Sequence, residues 1–104
     1  MQGEDVTVTD ELELRKEAVL RLREVVDPEI GINIVDLGLV YQIYVENQKL
    51  IVYITVTTPA CPMRLYIEQL VQARLSEIAE AELHVVMEPP WSPDMIAEHA
   101  RLFG

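Results

Sequence analysis

The sequence predicts an α+β domain, a small mixed three-stranded sheet packed by helices in the order α-β-β-α-β-α. Three observations carry this expectation. The chain has 104 residues and is 50% hydrophobic, enough for one packed core and not two. Residues 39–57 hold two period-two runs joined by a short polar link, the pattern of a β-hairpin. Segments with apolar residues at helical spacing stand before, between and after the strands. Helices gathered on one face of such a sheet make an α+β domain.

The elements follow in order. Residues 1–9 are polar and acidic and are expected to be a short mobile tail, leaving 10–104 as the single domain. Asp10 and Glu13 have the spacing of a capping box, so a helix is expected to start there. Leu14, Ala18, Leu22 and Val25 form its apolar stripe, with Glu11–Arg15 and Glu17–Arg21 as favourable pairs four residues apart. The helix must stop before Pro28, because the residue preceding a proline avoids the helical region. Residues 27–38 read as a loop, carrying Asp27-Pro28, Gly31, Asn33 and Gly38.

Leu39, Tyr41, Ile43 and Val45 then alternate with Val40, Gln42, Tyr44 and Glu46. After a turn near Asn47–Lys49, Leu50, Val52, Ile54 and Val56 alternate with Ile51, Tyr53, Thr55 and Thr57. The link contains no glycine, so its turn type stays open. Thr58-Pro59-Ala60-Cys61-Pro62 breaks the strand, and Ile67, Leu70, Val71, Leu75 and Ile78 mark a second helix. Leu83, Val85 and Met87 mark a third strand, ended by Pro89-Pro90. Ser92 as N-cap and Pro93 at the first helical position open a last helix with Ile96, Ala100 and Phe103 on its apolar side.

Charge narrows the function. With 18 acidic against 8 basic residues the net charge is −10, and the few basic residues are scattered. Binding to nucleic acid or to an anionic membrane needs clustered Lys and Arg, so neither is expected. No apolar run approaches a membrane span, and the N-terminus lacks a signal-peptide pattern, so the expected location is cytoplasmic.

Cys61 is the one cysteine, which excludes an internal disulfide and a self-contained four-thiolate site. Between a strand and a helix, with Pro62 as first helical residue, its sulfur would sit near unpaired N–H groups and the positive end of the helix dipole. Such a position favours the thiolate. The plainer reading is a small buried hydrophobe. Asp27 and Glu29 flank Pro28 and suit a cation, a partner or simply a solvated loop. Asp36 suits a turn or cap, while Thr57 and Thr58 suit either a ligand or strand-end backbone. Trp91, framed by prolines, suits a partner contact or a lid on the core edge. His84 and His99 show no zinc spacing and read as structural. Ser92 has no nearby base, and no glycine-rich phosphate loop is present.

In combination the segments are more specific. Asp27-Pro28-Glu29, Asn33-Ile34-Val35-Asp36-Leu37-Gly38-Leu39-Val40, Thr57-Thr58-Pro59-Ala60-Cys61-Pro62 and Pro89-Pro90-Trp91-Ser92-Pro93-Asp94-Met95 occur in this order. Over residues 11–104 this resembles the small iron–sulfur assembly-associated domain family. That family includes SufT, the PaaD protein of phenylacetate degradation and the targeting subunit of the eukaryotic cytosolic iron–sulfur assembly machinery.

The resemblance implies an α+β fold and an accessory role in iron–sulfur cluster assembly or delivery, without enzymatic turnover. It places the family's motif positions on Asp27, Glu29, Asp36, Thr57, Thr58, Cys61 and Trp91, with Cys61 as the functional thiol. The implied cargo is a transient iron–sulfur cluster or iron, not held by this chain alone. The implied partners are the assembly machinery and client apoproteins, and pairing of two copies stays open. The chain lacks the extra C-terminal cysteines of the PaaD branch and has no room for a fused P-loop ATPase, which points to the SufT-like branch. Two other readings remain: an interaction adaptor in which the thiol is incidental, and a redox-active thiol protein.

Overall fold

In the computed structural model the backbone is described for residues 3–58 and 62–96, and side chains for 11–58 and 62–96. The first helix, α1, spans Gly3–Leu22. It begins seven residues before Asp10, so Asp10 lies inside the helix and does not cap it. Nothing between residues 4 and 10 breaks a helix: that stretch holds no Pro or Gly. Ala18 and Leu22 are buried as the stripe requires, and Val25 is buried just past the helix end. The Glu17–Arg21 pair forms at 3.1 Å.

Two strands follow a long loop: β1 (Val40–Glu46) and β2 (Lys49–Ile54). They pair antiparallel from Val40↔Ile54 to Glu46↔Lys49, with a bulge between Val40 and Gln42. The link is the two-residue turn Asn47-Gln48, both at positive φ (53° and 63°). That conformation matches the twist of the flanking strands and settles the turn as the I′ kind. Alternation is as expected: Leu50, Val52 and Ile54 point into the core, while Gln42, Tyr44 and Glu46 are exposed.

The second helix, α2, spans Arg64–Ser76 and buries Ile67, Val71 and Leu75. It leads into β3 (Ala81–Val85), which runs parallel to β2 from Leu50↔Ala81 to Ile54↔Val85. The sheet order is β1-β2-β3, mixed as predicted. Ala18 and Leu22 of α1, the inner face of β2, the buried face of α2, and Val25, Ile34, Leu37 and Leu39 of the loop form one core cluster.

The other sheet face has no helix against it among the described residues. It carries Tyr44 edge-on to Tyr53 (6.1 Å, 88°) and His84 stacked on Tyr53 (4.7 Å). Beside them Glu82 bridges Lys49 (3.0 Å) and His84 (2.6 Å). After β3 the chain makes a cis Glu88-Pro89 bond and a single 3-10 turn, Pro93–Met95. Ser92 precedes this turn as expected, but its side chain makes no capping bond, and the backbone is extended again at Ile96. Ala100 and Phe103, expected in a last helix, lie outside the described residues.

Candidate functional site

The predicted site residues belong to segments that gather at one end of the sheet. Thr55 N–H donates to the Leu39 carbonyl at 2.8 Å, holding the loop between α1 and β1 beside the exit of β2. Thr57 and Thr58 follow that exit directly, the first half-buried and the second exposed. Trp91 follows the exit of β3. The carboxyl ends of the two parallel strands therefore open toward the same loops, a place where folds commonly assemble sites.

Asp27 is fully buried although it lies in a loop. The backbone folds around it. Its N–H donates to the Ile32 carbonyl (3.1 Å), and its carbonyl accepts from Gly31 (2.7 Å) and Ile30 (3.2 Å). Gly31 takes φ +84°, a conformation that favours glycine. The carboxylate oxygen Oδ1 accepts the Glu29 N–H at 2.9 Å, an Asx turn across Pro28. The second oxygen, Oδ2, is buried and has no hydrogen-bond partner among the described residues. Buried polar atoms are normally paired, and one left bare costs the fold about 1–3 kcal/mol. A bare acceptor in a motif position is a place where a donor from outside these side chains fits. Glu29 itself is exposed and enters the turn only through its backbone.

Asp36 has a different setting. It is buried, takes a hydrogen bond from Asn33 Nδ2 (3.0 Å), and pairs with Arg23 (3.3 Å). Its N–H donates to Asn33 Oδ1 at 2.9 Å, closing the turn on both sides. Asp36 therefore ties α1 to the loop, in line with the turn reading.

Trp91 is half-buried against the core, and its indole N–H donates to the Leu37 carbonyl at 2.7 Å. Two features absent from the sequence reading complete this clasp. Tyr41 Oη donates to the Pro89 carbonyl at 2.7 Å and lies 3.6 Å from Met95 Sδ. Gly38, at φ +82°, passes so close to Met95 that a Cβ there would overlap the Met95 carbonyl oxygen. Part of the signal was in the sequence, in Gly38 after Leu37; Tyr41 sits at the bulge between Val40 and Gln42, which the alternation does not reveal. The structure thus places Asp27, Glu29 and Asp36 in one loop and tethers Trp91 to it through the Leu37 carbonyl.

Cys61, with Pro59 and Ala60, lies outside the described residues. One expectation about its setting is corrected. The helix N-cap is Met63, at φ −96° and ψ 10°, so Pro62 is not its first residue and Cys61 stands two residues before the cap. Met63 also packs against the core. Among the described residues no group of three or more His, Cys, Asp or Glu is placed to hold a metal ion, and no helix is long and apolar enough to cross a membrane.

Comparison with known proteins places this geometry. The profile described as "Iron-sulfur cluster assembly protein" matches residues 16–85. The Staphylococcus aureus Fe-S protein maturation auxiliary factor SufT is 42% identical over 82 residues, covering 75% of this chain and 93% of that protein. The Bacillus subtilis Fe-S protein maturation auxiliary factor YitW is 36% identical over 93 residues, covering 86% and 91%. A crystal structure of a domain of unknown function from Bacillus anthracis superposes with a TM-score of 0.77 at 29% identity, over 92% of this chain and 95% of that one.

Proposed function

This chain belongs to the iron–sulfur cluster assembly protein family, and on that premise we propose that it is an accessory factor in maturing iron–sulfur proteins. One observation carries the reading. Relatives named as maturation auxiliary factors match this chain over 93% and 91% of their own length, so the likeness spans the whole relative and not a shared fragment. The role is that of a helper without turnover of its own.

The proposed working atom is the Cys61 thiolate, which ligates iron or a cluster as passing cargo. Iron–sulfur clusters are held by thiolates, normally four. This chain has one cysteine, so the remaining ligands come from a partner, a client apoprotein or a small thiol. Asp27 and Glu29 shape the loop beside the exit of β2, and Thr57 and Thr58 lead the chain from that strand toward Cys61. The bare Oδ2 of Asp27 supports a role for this carboxylate as acceptor for a group that arrives with the cargo or the client. Asp36 and Trp91 hold the loop in place through Arg23 and Leu37.

Anaerobic reconstitution with iron and sulfide, read by absorbance and Mössbauer spectroscopy, tests this reading. Wild type should bind iron in the presence of a small thiol, and Cys61→Ala should lose the thiolate-to-iron charge-transfer bands. Identical spectra for both would remove Cys61 from the mechanism.

A further inference from the structure

The edge of the sheet formed by β1 has features that the proposed function does not use. In a two-residue hairpin the residues flanking the turn form a hydrogen-bonded pair, and pairs then alternate. Glu46↔Lys49 flanks the turn, so Val45↔Leu50 and Ile43↔Val52 are the non-bonded pairs. Leu50 N–H accordingly turns the other way and donates to the Glu80 carbonyl (2.8 Å). The N–H and C=O of Ile43 and Val45 therefore point outward, where no strand meets them among the described residues.

Proteins usually blunt such an edge with lysine, proline or a cover. Between Gln42 and Val45 this strand has no lysine or proline, and no strand covers it among the described residues. At the opposite edge Gln72 Nε2 already occupies the Ala81 carbonyl of β3 (3.1 Å).

A groove runs along this open edge between β1 and α1. It consists of two hollows of about 400 and 390 Å³ that share Arg15, Ile43 and Tyr44. Its walls are mixed: Leu12 and Val19 from the helix and Val40 and Val45 from the strand are apolar, while Glu11 lies at the end near Leu12 and Gln42 at the other. Leu12 is 52% exposed, as a surface awaiting cover would be.

Arg15 stands where the hollows join. Arg21, Arg23, Lys49, Arg64 and Arg74 all have carboxylate partners. Among the described residues Arg15 and Lys16 have none, and the Glu11–Arg15 pair expected from spacing does not form. Of these two only Arg15 lines the groove, where it is exposed and open to a carboxylate from elsewhere.

We propose that this groove takes an extended peptide segment of a partner protein as a fourth strand on β1, with a carboxylate side chain of that segment on Arg15. Main-chain bonds to Ile43 and Val45 supply the pairing, and the apolar wall residues receive alternate side chains. A second copy fits less well, because each copy carries a net charge of −10 and the two repel on approach.

A displayed library of random octapeptides, selected against the full chain, tests the proposal. Enriched peptides should alternate β-branched or aromatic residues around one Asp or Glu. Measured by fluorescence polarisation, Arg15→Glu should weaken them by about tenfold or more. Replacing the peptide carboxylate by lysine should restore binding to that variant. N-methylation along the peptide should remove binding at every second amide, a readout that leaves the protein untouched. Ile43→Pro, which removes an outward N–H and no bond to β2, should abolish binding while circular dichroism stays native. No enrichment would overturn the proposal, as would indifference to Arg15→Glu or an N-methyl profile without a period of two. A dimer in light scattering that Ile43→Pro dissolves would assign the edge to a second copy instead.

Discussion

Replacing Gly38 by alanine probes the clasp that holds the segment after β3. The perturbation has two parts. At φ +82° an L side chain costs about 1–2 kcal/mol. The added Cβ would also overlap the Met95 carbonyl oxygen and stand 2.9 Å from its carbonyl carbon. Both are backbone atoms and cannot rotate away, so the Pro93–Met95 turn must lift. Lifting it strains the bond from Trp91 to the Leu37 carbonyl, worth about 1 kcal/mol net. The total is about 2–3 kcal/mol, a large share of the stability of a small domain.

Trp91 is the sole tryptophan, so its fluorescence reports the clasp directly. Urea unfolding followed by Trp91 emission and by far-ultraviolet circular dichroism should give coincident curves for wild type. In Gly38→Ala the emission should be red-shifted before any urea is added, and its transition should precede the dichroic one. Wild-type emission together with a stability change under about 0.5 kcal/mol would refute the reasoning.

Other substitutions test other parts. Asp27→Ala removes the acceptor of the Glu29 N–H but also the bare buried Oδ2, so the two effects oppose and thermal melts should show a loss under about 1 kcal/mol. Gln48→Gly relieves a side chain at φ 63° and should stabilise by about 0.5–1 kcal/mol in urea titration. The hydrogen bond from Lys49, then that from His84, holds the Glu82 carboxyl below its ordinary pKa, and Glu82 in turn raises that of Lys49. Glu82 therefore contributes stability above its unfolded pKa and loses it as pH falls through the lowered one. Lys49 contributes below its unfolded pKa and loses it as pH rises through the raised one. Lys49→Met should move the Glu82 titration upward in carbon-detected NMR, with His84 keeping part of the shift.

Regular elements were legible where sequence period decided burial. The alternation of Leu50, Val52 and Ile54 set the inward face of β2, and Ile67, Val71 and Leu75 set that of α2. Boundaries were less legible because packing moved them. α2 begins at Arg64 after an N-cap at Met63 and not at Pro62, and a stretch without breakers lets α1 begin at Gly3. The turn was ambiguous because Gln48 adopts a positive φ that sequence preference assigns to glycine. At the site, residue types were readable and partners were not. The burial of Asp27 depends on the Ile30, Gly31 and Ile32 backbone closing around it, and the tether of Trp91 on a carbonyl 54 residues away.

That separation has a consequence for the order of assembly. Closing a ring between Leu37 and Trp91 costs entropy that grows with the logarithm of its length, and nothing local repays it until the strands beneath have paired. The clasp should therefore form last, after residue 95 has left the ribosome. It should also be among the first units to open by sub-global fluctuation in the folded protein. Hydrogen exchange at Met95 and Ile96, whose N–H groups bond Ser92 and Pro93, would then run faster than at Leu50 or Val86. The loop bearing Asp27 and Asp36 would shed its cover in those moments without the sheet coming apart.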